Sequence, residues 1–189
     1  KRYFLQIEGA GSYATVTLNL KTYARTPVGR TTMTLDVTDA LIDGTNNIKI
    51  LTEHPQMITD MPWVCGGCSS EWGFSEGSQP LGLFRPVSLI ETDQVRVEPF
   101  GVHIWNNDKA DTVYIDTELK NYGDLPLTVN LVNKFAMANG KSVFRLSDTI
   151  TIAAGQTRVV RQLSAVEHPV LWSTESPYLY ALTSMIKCD

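Results

Sequence analysis

Apolar and polar residues alternate with period two in one run after another along this chain, and the pattern predicts strands. Tyr3–Gly9 alternates in this way, as do Ala14-Thr15-Val16-Thr17-Leu18, Thr31–Val37 and the shorter Ile48-Lys49-Ile50. Val113–Leu119 and Leu127–Leu131 repeat it further on. Successive side chains of a strand point to opposite faces, so each run can bury one face and wet the other. Thr and Val enrichment supports the same assignment. Turn-forming stretches separate the runs: Gly9-Ala10-Gly11, Asp43-Gly44, Asn106-Asn107-Asp108, Asn121–Asp124, Asn139-Gly140 and Ala154-Gly155. Asn139-Gly140 is the best candidate for a tight hairpin. Helical periodicity is scarce: Thr38–Ile42 suffices for one turn, with Thr38 or Asp39 as N-cap and Gly44 ending it. Short strands at turn-marked intervals predict an all-β chain of antiparallel sandwiches.

The alternation stops once, between about residues 54 and 82. A loop of this length without periodicity is usually functional or disordered, and its aromatics argue for an ordered excursion. Trp63, Trp72 and Phe74 offer flat apolar faces, while Glu71, Ser75, Glu76, Ser78 and Gln79 offer hydrogen-bonding tips. Sugars, with C–H faces and hydroxyl rims, suit that mixture. Anchoring the loop onto its own sandwich would use the same aromatics. A domain boundary is expected near Glu91–Gln94, giving one domain at 1–93 and a second at 94–189. The second has about the 100 residues of an immunoglobulin-like sandwich, without the paired cysteines of antibody domains.

Composition narrows the function. The 189 residues are 43% hydrophobic and 19% charged, which supports a packed core rather than disorder. A complete (β/α)₈ barrel needs roughly 250 residues and does not fit. Sixteen Lys and Arg against 20 Asp and Glu give a formal charge of −4 with no basic cluster, so no nucleic-acid partner is expected. No apolar run approaches a membrane span, and no h-region of a signal peptide opens the chain. Because it opens inside strand-like sequence, the chain is expected to be a piece of something longer. Its place in a bacterium, periplasmic or cytoplasmic, stays open.

Few residues group into recognisable chemistry. Cys65 and Cys68, spaced C-x-x-C, would suit half of a tetrahedral zinc site. His54, Glu71 and Cys188 are the only companions to imagine, and no second C-x-x-C supports them. A redox role would want the pair opening a helix in a βαβ context, which is missing; a structural or incidental role, including a local disulfide, stands beside both. Glycoside hydrolysis needs two carboxylates roughly 5–10 Å apart, and nothing in the spacing of Glu53, Asp60, Glu71 and Glu76 selects a pair. His54, His103 and His168 are widely separated, with no Gly-x-Ser-x-Gly elbow. His103, in the alternating run Val102–Trp105, reads as a satisfied structural histidine.

Four segments together resemble the N-terminal part of glycoside hydrolase family 2, the β-galactosidase and β-glucuronidase family. Tyr3–Ala10 followed by Ala14–Asn19 is similar to the family's paired strands ending in Leu-Asn-Gly, with Leu20 in place of that glycine. Asp36-Val37-Thr38-Asp39-Ala40-Leu41 with Gly44-Thr45-Asn46 looks like its Asp-Val-Thr-x-x-Leu…Gly-x-Asn segment. Gly82–Leu89 resembles the Gly-Ile-Phe/Tyr-Arg-x-Val-x-Leu strand. Pro169–Ser173 with Pro177–Tyr180 resembles the Leu-Trp-Ser…Pro-x-Leu-Tyr strand leading toward the catalytic barrel. The Ser-Glu-Gly-Ser-Gln-Pro stretch at 75–80 is similar to that of gut-bacterial members.

The resemblance implies a jelly-roll sugar-binding domain, lacking its first strands, followed by an immunoglobulin-like sandwich. Sheet edges left open by the missing strands would invite pairing between copies of the chain. It implies a retaining, β-galactosidase-like parent enzyme whose two catalytic glutamates lie in a barrel outside this chain, so that no catalytic residue and no cofactor are expected here. The expected partners are a β-galactoside-like carbohydrate and the parent's own barrel in cis. Trp63, Glu71, Trp72 and Glu76 are the sugar-pocket candidates. Alternation across 82–89 places Arg85 on a largely apolar face with Val87 and Leu89, as a structural residue needing a polar partner. Gly82 is expected to avoid a side-chain clash, and Trp172 and Tyr180 to be core or domain-junction aromatics. A stand-alone carbohydrate-binding module is the other reading.

Overall fold

The structure, a computed structural model, describes residues 1–29, 31–53, 69–70, 73–74 and 81–188. Two compact units divide the chain, Lys1–Glu91 and Thr92–Asp189. Among the described residues the regular structure is strand throughout, apart from one 3₁₀ turn at Thr38–Ala40.

The first unit contains β1 (Arg2–Ile7), β2 (Ala10–Leu18), β3 (Lys21–Thr22), β4 (Thr26–Gly29), β5 (Met33–Asp36), β6 (Ile48–Glu53), β7 (Ser69–Ser70), β8 (Gly73–Phe74), β9 (Gly82–Leu83) and the bulk of β10 (Val87–Thr92). One sheet runs β10-β1-β5; another is centred on β2, which pairs with β3, β4, β6 and β9. Leu5 and Ile7 of β1 meet Ala14, Val16 and Leu18 of β2 in a core completed by Val28, Met33 and Val37. This is the face that the alternation of Ala14–Leu18 predicts. The turn after β2 is held by Asn19, which takes φ +53 itself, so the absence of a glycine at position 20 is tolerated. Asn is one of the few side chains that enters this region readily. Its amide donates to the Ala40 carbonyl at 2.7 Å and to Asn46 Oδ1 at 2.8 Å.

Three local expectations are corrected here. The 3₁₀ turn has Val37 as N-cap with no side-chain cap, and it ends at Leu41. Asp36 supplies the polar contact instead, accepting from the Thr38 amide at 3.1 Å and hydroxyl at 2.7 Å. Gly44, at φ +88, belongs to the next turn. The single strand expected across 82–89 is two: β9 pairs with β2, the chain bends at Arg85, and β10 joins β1 in the other sheet. Alternation therefore does not run through the bend, and Arg85 is exposed rather than buried on an apolar face. At Gly82 a Cβ would meet nothing within 4 Å, so φ +72 rather than space is what favours glycine. Space matters at Gly9, where a Cβ would lie 2.8 Å from the Phe84 ring and 3.2 Å from Arg85 Cδ.

The second unit is a six-stranded sandwich: β11 (Val95–Asn106), β12 (Thr112–Asn121), β13 (Leu127–Ala136), β14 (Ser142–Ile152), β15 (Thr157–Ala165) and β16 (Ala181–Cys188). Its sheets are β11-β12-β15 and β14-β13-β16. β12 buries Val113, Ile115, Thr117, Leu119 and Asn121 and wets the residues between. The hairpin expected at Asn139-Gly140 joins β13 to β14, closed by Met137 N–H donating to the Lys141 carbonyl at 2.9 Å, with Gly140 at φ +83.

The core of this unit has two apolar clusters with a polar belt between them. Val95, Leu119, Val129, Leu131, Ile150 and Ile152 fill one end; Val113, Ile115, Phe135 and Val166 fill the other. Between them Asn133 of β13, fully buried, donates to Thr117 Oγ1 of β12 at 3.0 Å and to Gln162 Oε1 of β15 at 2.9 Å. Gln162 passes the chain on to Asp148 Oδ2 of β14 at 2.6 Å. Four strands from both sheets are thus tied through two side-chain amides, Asn133 and Gln162.

Replacing Asn133 by Ala strands the buried Gln162 and Thr117 acceptors. A loss of about 2–3 kcal/mol is expected, read as a lower urea midpoint for amide protection in β12 and β13. In the first unit, burial works against ionisation of Asp36, but hydrogen bonds from Thr38 and the Arg2 guanidinium overcome it and hold the carboxyl below the usual carboxylate range. Its stabilisation is therefore present above the unfolded-state pKa and is lost as pH falls through the folded-state value. Asp36→Asn is expected to lower the urea midpoint of the first unit at pH 7, with the gap from the unsubstituted chain closing as the pH falls below the usual carboxylate range.

Candidate functional site

Trp63, Glu71, Trp72, Glu76, Cys65 and Cys68 all lie outside the described residues. The frame of their excursion is described, however. β6 leaves β2 with Glu53 opposite Tyr13, and β9 returns with Gly82 opposite Gly11. The strands on either side of the 54–81 segment thus end two residues apart along β2, roughly 7 Å. Between them the only described backbone, Ser69–Ser70 and Gly73–Phe74, forms an antiparallel pair. Polar and aromatic groups meet where β6 ends: Arg25 Nε donates to Glu53 Oε2 at 3.0 Å, and the guanidinium lies 3.5 Å from the centre of the Tyr13 ring.

A concave feature lies wholly within the second unit. It is a cleft of about 360 Å³ at the end where β11 finishes and β16 begins, floored by Val113 and Phe135 and walled by the 166–180 connection. The sequence placed Trp172 in a core or junction; within its unit it is 59% exposed on this wall, beside Leu171 at 62% and Leu179 at 69%. The core position belongs to Tyr180, whose ring stacks on Phe135 at 4.9 Å. Its hydroxyl accepts from Val170 N–H at 2.8 Å, and the Tyr178 hydroxyl accepts from Ala138 N–H at 3.2 Å. Backbone bonds between Ser173 and Ser176 close a turn at the tip of the wall.

Trp105 continues the lining onto the outer face of the β11-β12-β15 sheet. His103 stacks on it at 4.8 Å and Tyr114 at 5.4 Å. His103 is exposed, and what it makes is this ring stack. The cause is a bulge between Val97 and Val102, with Phe100 at φ +58, which changes the residues of β11 that face the core. Arg161 lies 5.3 Å from the Trp105 ring centre and grips Asp116 through two hydrogen bonds of 2.8 and 2.7 Å. That grip holds the Asp116 carboxyl below its usual range and raises Arg161 further. Sequence reasoning missed this strip because it is assembled from three strands and depends on the bulge. Among the described residues no group of three or more His, Cys, Asp or Glu side chains could hold a metal ion.

Residues 95–188 match the profile of Glycosyl hydrolases family 2. Over 202 residues the chain is 23% identical to a β-glucuronidase of Formosa agariphila, an alignment covering 99% of this chain and 20% of that protein. A β-galactosidase of Priestia megaterium is 27% identical over 159 residues, 80% of this chain and 14% of that one. The solved structure of a Bacteroides uniformis β-glucuronidase shares the fold with a TM-score of 0.81 at 22% identity, covering all of this chain and 22% of that chain. An all-β chain of sandwich units thus aligns along almost its whole length with part of such proteins. The chain belongs to glycosyl hydrolases family 2. It spans about a fifth of the length of the β-glucuronidase it matches.

Tyr180→Phe keeps the stack on Phe135 and removes the acceptor for Val170 N–H. Faster hydrogen exchange at Val170 and neighbouring amides of the 166–180 wall is expected, with global stability changed by less than about 1 kcal/mol.

Proposed function

We propose that this chain is a non-catalytic part of a family 2 glycosidase, β-galactosidase-like and retaining, that scaffolds a catalytic barrel in cis and helps shape its sugar pocket. The observation that carries the reading is the alignment of 99% of this chain with 20% of a β-glucuronidase. Its length supports the division of labour, because 189 residues cannot hold the roughly 250-residue barrel that such chemistry uses. Residues 1–93 act as a jelly-roll sugar-binding-like domain and 94–189 as an immunoglobulin-like one. The segment that leaves β2 at Glu53 and returns at Gly82 carries Trp63, Glu71, Trp72 and Glu76, which combine stacking faces with hydrogen-bonding tips. They select the sugar; the acid and the nucleophile belong to the barrel.

In the intact enzyme, Trp72→Ala or Glu76→Ala is expected to lower kcat/KM on aryl β-galactosides or β-glucuronides about ten-fold, equivalent to about 1.4 kcal/mol of transition-state binding. Unchanged kcat/KM for both variants across several glycosides removes the pocket role.

A further inference from the structure

We draw no further inference here: the strongest candidate, the cleft of the second unit between the end of β11 and the 166–180 connection with the His103–Trp105–Tyr114 strip beside it, is lined almost wholly by apolar side chains, and nothing in the structure shows what covers it.

Discussion

The second unit is organised around one buried amide. Asn133 ties β12 and β15 to β13, and Gln162 extends the tie to Asp148 of β14. Apolar burial alone fixes two sheets face to face but not their lateral setting, since such contacts are non-directional. A buried amide is directional and costly to leave unmet. Position along β13 then does the rest: Leu131 falls into one apolar cluster, Asn133 into the belt and Phe135 into the other cluster. Phe135 is also the floor of the cleft and the stacking partner of Tyr180. The belt therefore sets the level on which the 166–180 wall is built.

The first unit is organised differently, around one strand. β2 is the common base, pairing with β6 before the excursion and β9 after it. From β9 the chain crosses Gly9 at a bend and enters the other sheet as β10. A side chain at position 9 would collide with Phe84, so the crossing depends on a bare backbone there. In the proposed function this arrangement gives the aromatic excursion a rigid root.

Much of the fold was legible from period-two patterning. Val113–Leu119 and Ala14–Leu18 face the core as their alternation implies, and Asn139-Gly140 makes its hairpin. The failures share a cause: the pattern was extended through places where the backbone leaves regular geometry. The bend at Arg85 ends the alternation expected across 82–89, and the bulge between Val97 and Val102, which no local pattern announces, decides which face of β11 carries His103 and Trp105. Residue type alone does not give burial here: the belt residues Thr117 and Asn133 are buried while Leu171 and Trp172 are exposed. Family motifs located Trp172 and Tyr180 but not the cleft they share, which draws on segments from Ile104 to Tyr180.

The central claim is that this chain supports glycoside hydrolysis without performing it. The purified 189-residue chain, shown to be folded, should be assayed with aryl β-galactoside and aryl β-glucuronide beside the same sequence continued through the proposed barrel. The account predicts turnover by the longer protein and none above the uncatalysed background by the chain alone. Hydrolysis by the chain alone, or a longer protein that folds and cleaves neither class of glycoside, would contradict it.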